Sequence, residues 1–187
     1  MELSPDQRQL VDVADRLFYE RGVHAVGMDD LRTAAGVSLK RLYGLFPSKR
    51  ELLVAVLAQR HEVWMRGLAA RVEAAPDPRT RLLAVYDFLA DWFAEETFRG
   101  CSFINVFGEL GGTWPEVVRF ARAHKDAFRG YLAGLVAEAG GPGWLAPQLA
   151  LLAEGAQTTA AISGTTDAAG EARAAAEIIL AAALDGR

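Results

Sequence analysis

The sequence predicts an all-α fold. Three observations carry that prediction. Apolar residues recur at i, i+3, i+4 and i+7 from one end of the chain to the other. No stretch alternates apolar and polar residues as a half-buried strand does, and no hairpin signal stands out. Capping hydroxyls, prolines and glycines fall between the periodic runs, where helices must start and stop. At 187 residues, 51% of them hydrophobic and 24% charged, the chain can bury a large core as one domain or as two small ones sharing a core.

The elements follow in order. Ser4 offers a capping hydroxyl and Pro5 a fixed φ for a first helix whose buried stripe is Leu10, Val13, Ala14, Leu17 and Phe18, and Gly22 ends it. A short helix runs over 28–35 with Leu31 and Ala34 facing in, and Gly36 stops it. Ser38 caps a second short helix over 39–46, which Pro47 terminates. Ser48 and Glu51 form a capping box for a long helix over 49–75, with Leu52, Leu53, Val56, Val63 and Trp64 as apolar positions. Pro76-Asp77-Pro78 breaks the chain, and Leu82, Val85, Tyr86, Leu89 and Phe93 mark the next helix. A short helix over 102–110 ends at Gly111-Gly112. The following one opens at Thr113 and Pro115 and carries Val117, Phe120, Ala121, His124, Phe128, Tyr131 and Leu135 on one stripe. After a glycine-rich loop at 140–143, two helices over 145–163 and 167–184 complete the chain.

Composition excludes several classes. One cysteine, Cys101, leaves no internal disulfide and no Cys-rich zinc site. Residues 139–166 hold Glu154 as their only charge, but prolines, glutamines and threonine pairs make them a buried or partner-facing segment rather than a membrane span. The first nine residues are polar and mixed, unlike a signal peptide, so a cytoplasmic protein is expected. His61-Glu62 is followed by Met65 where a zinc-protease helix needs its second histidine. No serine sits in a nucleophile elbow, and Gly111-Gly112-Thr113 lacks the lysine of a phosphate loop. No catalytic residue, metal site or cofactor is expected.

The net charge of −4 hides an asymmetry. Residues 1–50 carry +1, and within them 38–50 holds Lys40, Arg41, Lys49 and Arg50 and no acid. An acidic protein with one undiluted basic segment suggests a local anionic partner; a solvated helix face is the alternative. Two short helices joined at Gly36 across 28–46 have the layout of a helix-turn-helix, whose second helix enters the DNA major groove.

Here the residues resemble a known family. Ala34-Ala35-Gly36-Val37-Ser38, Leu42-Tyr43, Phe46-Pro47-Ser48-Lys49 and Leu52, with Phe18, Gly22 and Leu31 upstream, look like the DNA-binding domain of the TetR family of bacterial transcriptional regulators. The resemblance covers residues 8–55; beyond it only helix number, helix length and the alanine-rich end agree. It implies phosphate contacts by Ser38, Tyr43 and Lys49, and base contact from the front of the recognition helix at Leu39, Lys40 and Arg41. Arg41 is the best candidate for a guanine edge, Lys40 for a phosphate, and Thr33 for either. Three departures matter. Gly27 stands where a threonine or serine is usual, Leu45 where a polar residue is common, and Lys40-Arg41 where small residues are frequent.

The resemblance also implies an effector pocket in the second half. Trp92, Phe93, Cys101, Asn105, Phe107, Phe120, His124 and Phe128 are its candidate lining, suited to a small apolar or aromatic effector. His124 and Asn105 are the candidate polar anchors, although His124 also fits a satisfied core position. Cys101 reads as a small buried hydrophobe, or as a redox sensor with Arg99 nearby. Leu145, Leu149, Leu152, Ala156 and Ala160, with the alanines of 174–183, fit a homodimer interface through 145–163 and 168–184. The expected organisation is a DNA-binding domain over 1–48 and a ligand-binding and dimerisation domain over 49–187, with 49–75 as connecting helix. The expected partner is a pseudo-palindromic double-stranded operator, bound by a repressor that its effector releases. A helical small-molecule or protein-binding module without specific DNA binding is the rival reading, and the polar groups missing at Gly27 and Leu45 favour it.

Overall fold

The computed structural model describes residues 3–185. Every regular element among them is helical: α1 (Pro5–Arg21), α2 (Met28–Ala35), α3 (Leu39–Leu45), α4 (Lys49–Glu73), α5 (Pro78–Phe93), α6 (Ser102–Leu110), α7 (Pro115–Glu138), α8 (Leu145–Ser163) and α9 (Asp167–Leu184). The all-α expectation holds, and the boundaries differ from those read in the sequence by no more than a fraying turn. None of these helices is long and apolar enough to cross a membrane.

The chain forms two compact units. One comprises the chain up to Glu62 together with Ser102–Arg122; the other comprises Val63–Cys101 and the chain from Ala123 onward. The start of α4, all of α6 and the start of α7 thus cluster with the first three helices, whereas the sequence suggested a division at residue 48.

In the first unit, Ser4 Oγ accepts the Gln7 amide at 3.2 Å and the Gln7 side chain accepts the Ser4 amide at 3.0 Å, the reciprocal box that starts α1. α1 buries Leu10, Val11, Ala14, Leu17 and Phe18; Val13, expected on that stripe, is only half-buried. The apolar face is one position wider on the Val11 side than the i+3 pattern suggests. α2 is anchored by Leu31 alone, and Ala34 is exposed rather than buried. Gly36 takes φ +67°, and the amides of Gly36 and Val37 close back on the carbonyls of Thr33 and Arg32 at 3.2 and 3.0 Å.

The second unit packs α5 against α8 and α9. α5 buries Leu82, Val85, Tyr86, Leu89 and Phe93 as the spacing predicts, and the Tyr86 hydroxyl donates to the Leu149 carbonyl at 2.9 Å. Small residues on α8 and α9 (Ala153, Ala156, Ala160, Ala172, Ala176) are buried between them and let the helix axes approach closely. One expectation is corrected here. Leu145, Leu149, Ala156 and Ala160, read as a face for a second copy, are buried in the unit's own core, with Leu152 packed beside them. The uncovered apolar side chains lie on other faces: Leu151 (73% exposed) and Ile162 (83%) on α8, and Ile178 (71%) on α9. Val63 of α4 is likewise exposed, not a core position.

Candidate nucleic-acid interface

The candidate interface is built from α2, the turn at Gly36 and α3. α2 starts at Gly27, which has no side chain to cap it; instead the Asp30 carboxylate accepts the Gly27 amide at 2.7 Å. Thr33 Oγ1 donates to the Asp29 carbonyl at 2.7 Å, so its hydroxyl hydrogen is used within α2 and must swing to reach a phosphate. Ser38 caps α3: its Oγ accepts the Arg41 amide at 3.1 Å, which leaves its own O–H to donate outward.

α3 is seven residues long and buries one of them, Leu42. Phe46 behind it is also buried. That anchoring turns Leu39, Lys40, Arg41, Tyr43 and Gly44 to solvent, with Leu39 40% and Tyr43 46% exposed. A short helix showing two large side chains and two cations on its free side has the composition of a surface awaiting an anionic partner. Leu45, by contrast, is half-buried, and its carbonyl accepts from the Gln7 side chain at 3.2 Å.

Lys40 is exposed, and the other three basic groups of 38–50 have different surroundings. Arg41 pairs with Asp6 of α1, both side chains more than half exposed. Lys49 Nζ donates to the Val26 carbonyl at 2.7 Å and ties the loop before α2 to the start of α4. Partial burial lowers the Lys49 pKa, while Glu109 and Asp30 oppose that shift. Arg50 is drawn to α7, its guanidinium 5.0 Å from the Trp114 ring centre and 3.8 Å from the Glu116 carboxylate. Sequence reasoning missed one organising residue. The two carboxylate oxygens of Glu109 on α6 accept the amides of Val23 and His24 at 3.2 and 3.0 Å, and so fix the turn that leads into α2. No local sequence signal links positions 86 residues apart.

The candidate effector residues divide between the two units. In the second, Trp64 of α4 meets Phe88, Trp92, His124 and Phe128 edge-on at centroid distances of 5.4, 6.1, 5.2 and 5.4 Å. Trp92 and Phe93 both contact Phe98. Trp64 is thus the hub of the aromatic cluster, although in the sequence it is only one apolar position among several. Cys101 is buried with Lys125 Nζ 3.5 Å from its sulfur, and the Arg99 guanidinium donates to the carbonyls of Glu96 and Phe98. Lys125 also pairs with Glu154 at 2.5 Å. Asn105, Phe107 and Phe120 lie in the first unit: Asn105 lines a cavity there, Phe107 is half exposed and Phe120 half-buried. Among the described residues no three His, Cys, Asp or Glu side chains gather as metal ligands.

Residues 10–56 match the model of the bacterial regulatory proteins of the tetR family. The fold is similar to that of a TetR-family transcriptional regulator from Streptomyces coelicolor, with TM-score 0.86, 28% identity, and 95% of this chain and 89% of that chain covered. By sequence over residues 10–56, and by fold over nearly all of its length, the chain is similar to TetR-family regulators. A second TetR-type regulator, from Streptomyces avermitilis, is 29% identical with TM-score 0.81 over 96% of this chain and 98% of that one. Among curated relatives, the transcriptional activator FasR of Mycolicibacterium smegmatis is 36% identical over 97 residues, 51% of this chain and 44% of that protein. The regulator BetI of Rhizobium meliloti is 36% identical over 93 residues, 49% of this chain and 46% of BetI. The chain therefore aligns with less than half the length of these curated relatives. The matched residues 10–56 take in most of α1, all of α2 and α3 and the start of α4.

Proposed function

We propose that this protein is a cytoplasmic, non-enzymatic transcriptional regulator. It binds a pseudo-palindromic operator as a homodimer and leaves it when a small apolar or aromatic effector binds. The observation that carries the reading is the outward face of α3, where Leu39, Lys40, Arg41 and Tyr43 are exposed around the single buried anchor Leu42. Arg41 would read a base edge after releasing Asp6, an exposed pair that costs little to break. Lys40, Tyr43, Ser38 and Lys49 would hold phosphates, with Thr33 joining after its hydroxyl turns outward.

The functional division places the DNA-binding domain in 1–48 and the ligand-binding and dimerisation domain in 49–187. Leu151, Ile162 and Ile178, exposed on the two last helices, support a two-fold interface through 145–163 and 168–184. The aromatic cluster around Trp64, with Trp92, Phe93, His124 and Phe128, supports an apolar effector, and Cys101 lies in the same unit. Asn105, Phe107 and Phe120, in the other unit, are the weaker members of that set. The relative FasR is named an activator. We take repression as the sign here because a dimer seated on its operator excludes other proteins from the same DNA. The test is selection of bound duplex from a random pool, with the oligomeric state measured in parallel. Enrichment of an inverted repeat bound by dimers is the expected result. Folded protein that enriches no sequence at low salt would return the rival reading of a binding module without specific DNA contact.

A further inference from the structure

The first unit contains a cavity of about 340 Å³ bounded by α1, α4 and α6. Phe18, Leu57 and Val106 contribute to its apolar wall. Asp15 and Arg60 form an ion pair on its edge, and the Arg60 guanidinium lies 3.9 Å from the Tyr19 ring centre. Burial raises the Asp15 pKa even with Arg60 beside it. Ser102, the first residue of α6, also lines the cavity. It is nine-tenths buried, and its hydroxyl has no hydrogen-bond partner among the described residues. Buried hydroxyls are normally satisfied, so this one has hydrogen-bonding capacity left over beside the cavity.

The charges around the cavity are already engaged: Asp15 by Arg60, and Glu109 by the amides of Val23 and His24. A charged ligand would have to break one of these arrangements or enter unpaired. A neutral ligand has to do neither. The volume lies at the small end of the range for ligand sites and accommodates one or two fused rings. We propose that this cavity is a ligand site for a small, uncharged, largely apolar molecule bearing one hydrogen-bonding group, which pairs with the Ser102 hydroxyl.

The site also has a route to the head. Ser102, Val106 and Glu109 recur at i, i+4 and i+7 on one face of α6. A molecule wedged against Ser102 and Val106 displaces that face, and with it the Glu109 carboxylate that holds residues 23 and 24 ahead of α2. Occupancy then weakens DNA binding, a consequence that rests on the DNA-binding reading above.

The experiment is a titration of the full chain, methyl-labelled, with phenol, indole and benzamide, and with benzoate and benzylamine as charged counterparts. The expected result is saturable shifts of the Leu53, Val56, Leu57 and Val106 methyls by the neutral probes, with the charged ones weaker. Ser102→Ala should weaken the neutral probes about tenfold, the loss of one buried hydrogen bond, with its helical spectrum unchanged. Asn105→Trp, at an exposed rim position, is the second variant and should block entry without touching the core. Absence of these shifts at millimolar probe, or equal affinity in both variants and the parent, overturns the site. On a selected duplex, saturating probe should lower affinity in the parent and not in Ser102→Ala; an unchanged affinity overturns the coupling. Saturable methyl shifts in a protein that binds no duplex uphold the site and overturn the DNA-binding reading instead.

Discussion

Arg41 sits on the outward face of α3 with its guanidinium paired to Asp6 of α1. The pair orients the side chain at small energetic cost, because both groups remain in water. Arg41→Ala should weaken operator binding by about 1–3 kcal/mol and relax base preference at one position of each half-site. Asp6→Asn should leave affinity equal or slightly higher, since it frees the guanidinium. A competition assay with singly substituted duplexes reads both, and unchanged preference in Arg41→Ala would remove Arg41 from the interface. In the other unit, Tyr86→Phe removes the hydroxyl that donates to the Leu149 carbonyl and should cost about 1–2 kcal/mol in urea unfolding. Burial raises the Tyr86 pKa. A raised native pKa means the folded state favours the neutral phenol. That stability is complete below the ordinary tyrosine range and fades as pH rises through it toward the native value. The gap between parent and Tyr86→Phe should therefore close in alkaline urea titrations.

At the scale of elements, the turn between α2 and α3 depends on backbone conformation rather than space. Gly36 has φ +67° and a Cβ there would meet nothing within 4 Å. Gly36→Ala should thus cost about 1–2 kcal/mol through left-handed strain alone, and Gly36→Asn less. Urea midpoints of the two variants separate this from a packing effect, which would penalise Asn more than Ala. The reading of α2 and α3 from the sequence succeeds because their signals are local: Ser38 caps, Gly36 turns, Leu42 repeats the apolar face. The ties that orient the elements do not read out locally. Lys49 reaches the Val26 carbonyl and Glu109 reaches the amides of Val23 and His24, each across a long chain separation. A basic residue after a proline looks free in sequence, and only the folded loop shows what it holds.

For the whole molecule, the dimer reading makes a contrast that solution measurements can check. Ile162→Glu together with Ile178→Glu alters side chains 83% and 71% exposed and should leave the protomer folded. Sedimentation should then show monomers, and operator affinity should fall because two half-sites are no longer engaged by one particle. Leu149→Ala lies on the stripe that faces inward and should instead destabilise the fold by about 2–5 kcal/mol. A dimer that survives the two glutamates would move the interface elsewhere.

The sequence by itself determined the all-α class, the helix boundaries and the helix-turn-helix, since periodicity, capping and turn residues act over a few neighbouring positions. It did not determine which of two apolar faces on α8 is inward. Leu145 and Leu149 mark one and Leu151 and Ile162 the other, and hydropathy alone gives both the same sign. That choice belongs to α5 and α9, whose packing covers the first face and leaves the second in water. Tertiary structure likewise made Trp64 the aromatic hub, split the candidate effector residues between two units, and left the Ser102 hydroxyl unpaired beside a cavity. Each of these depends on contacts between distant segments, and burial is a property of the neighbours a side chain acquires on folding.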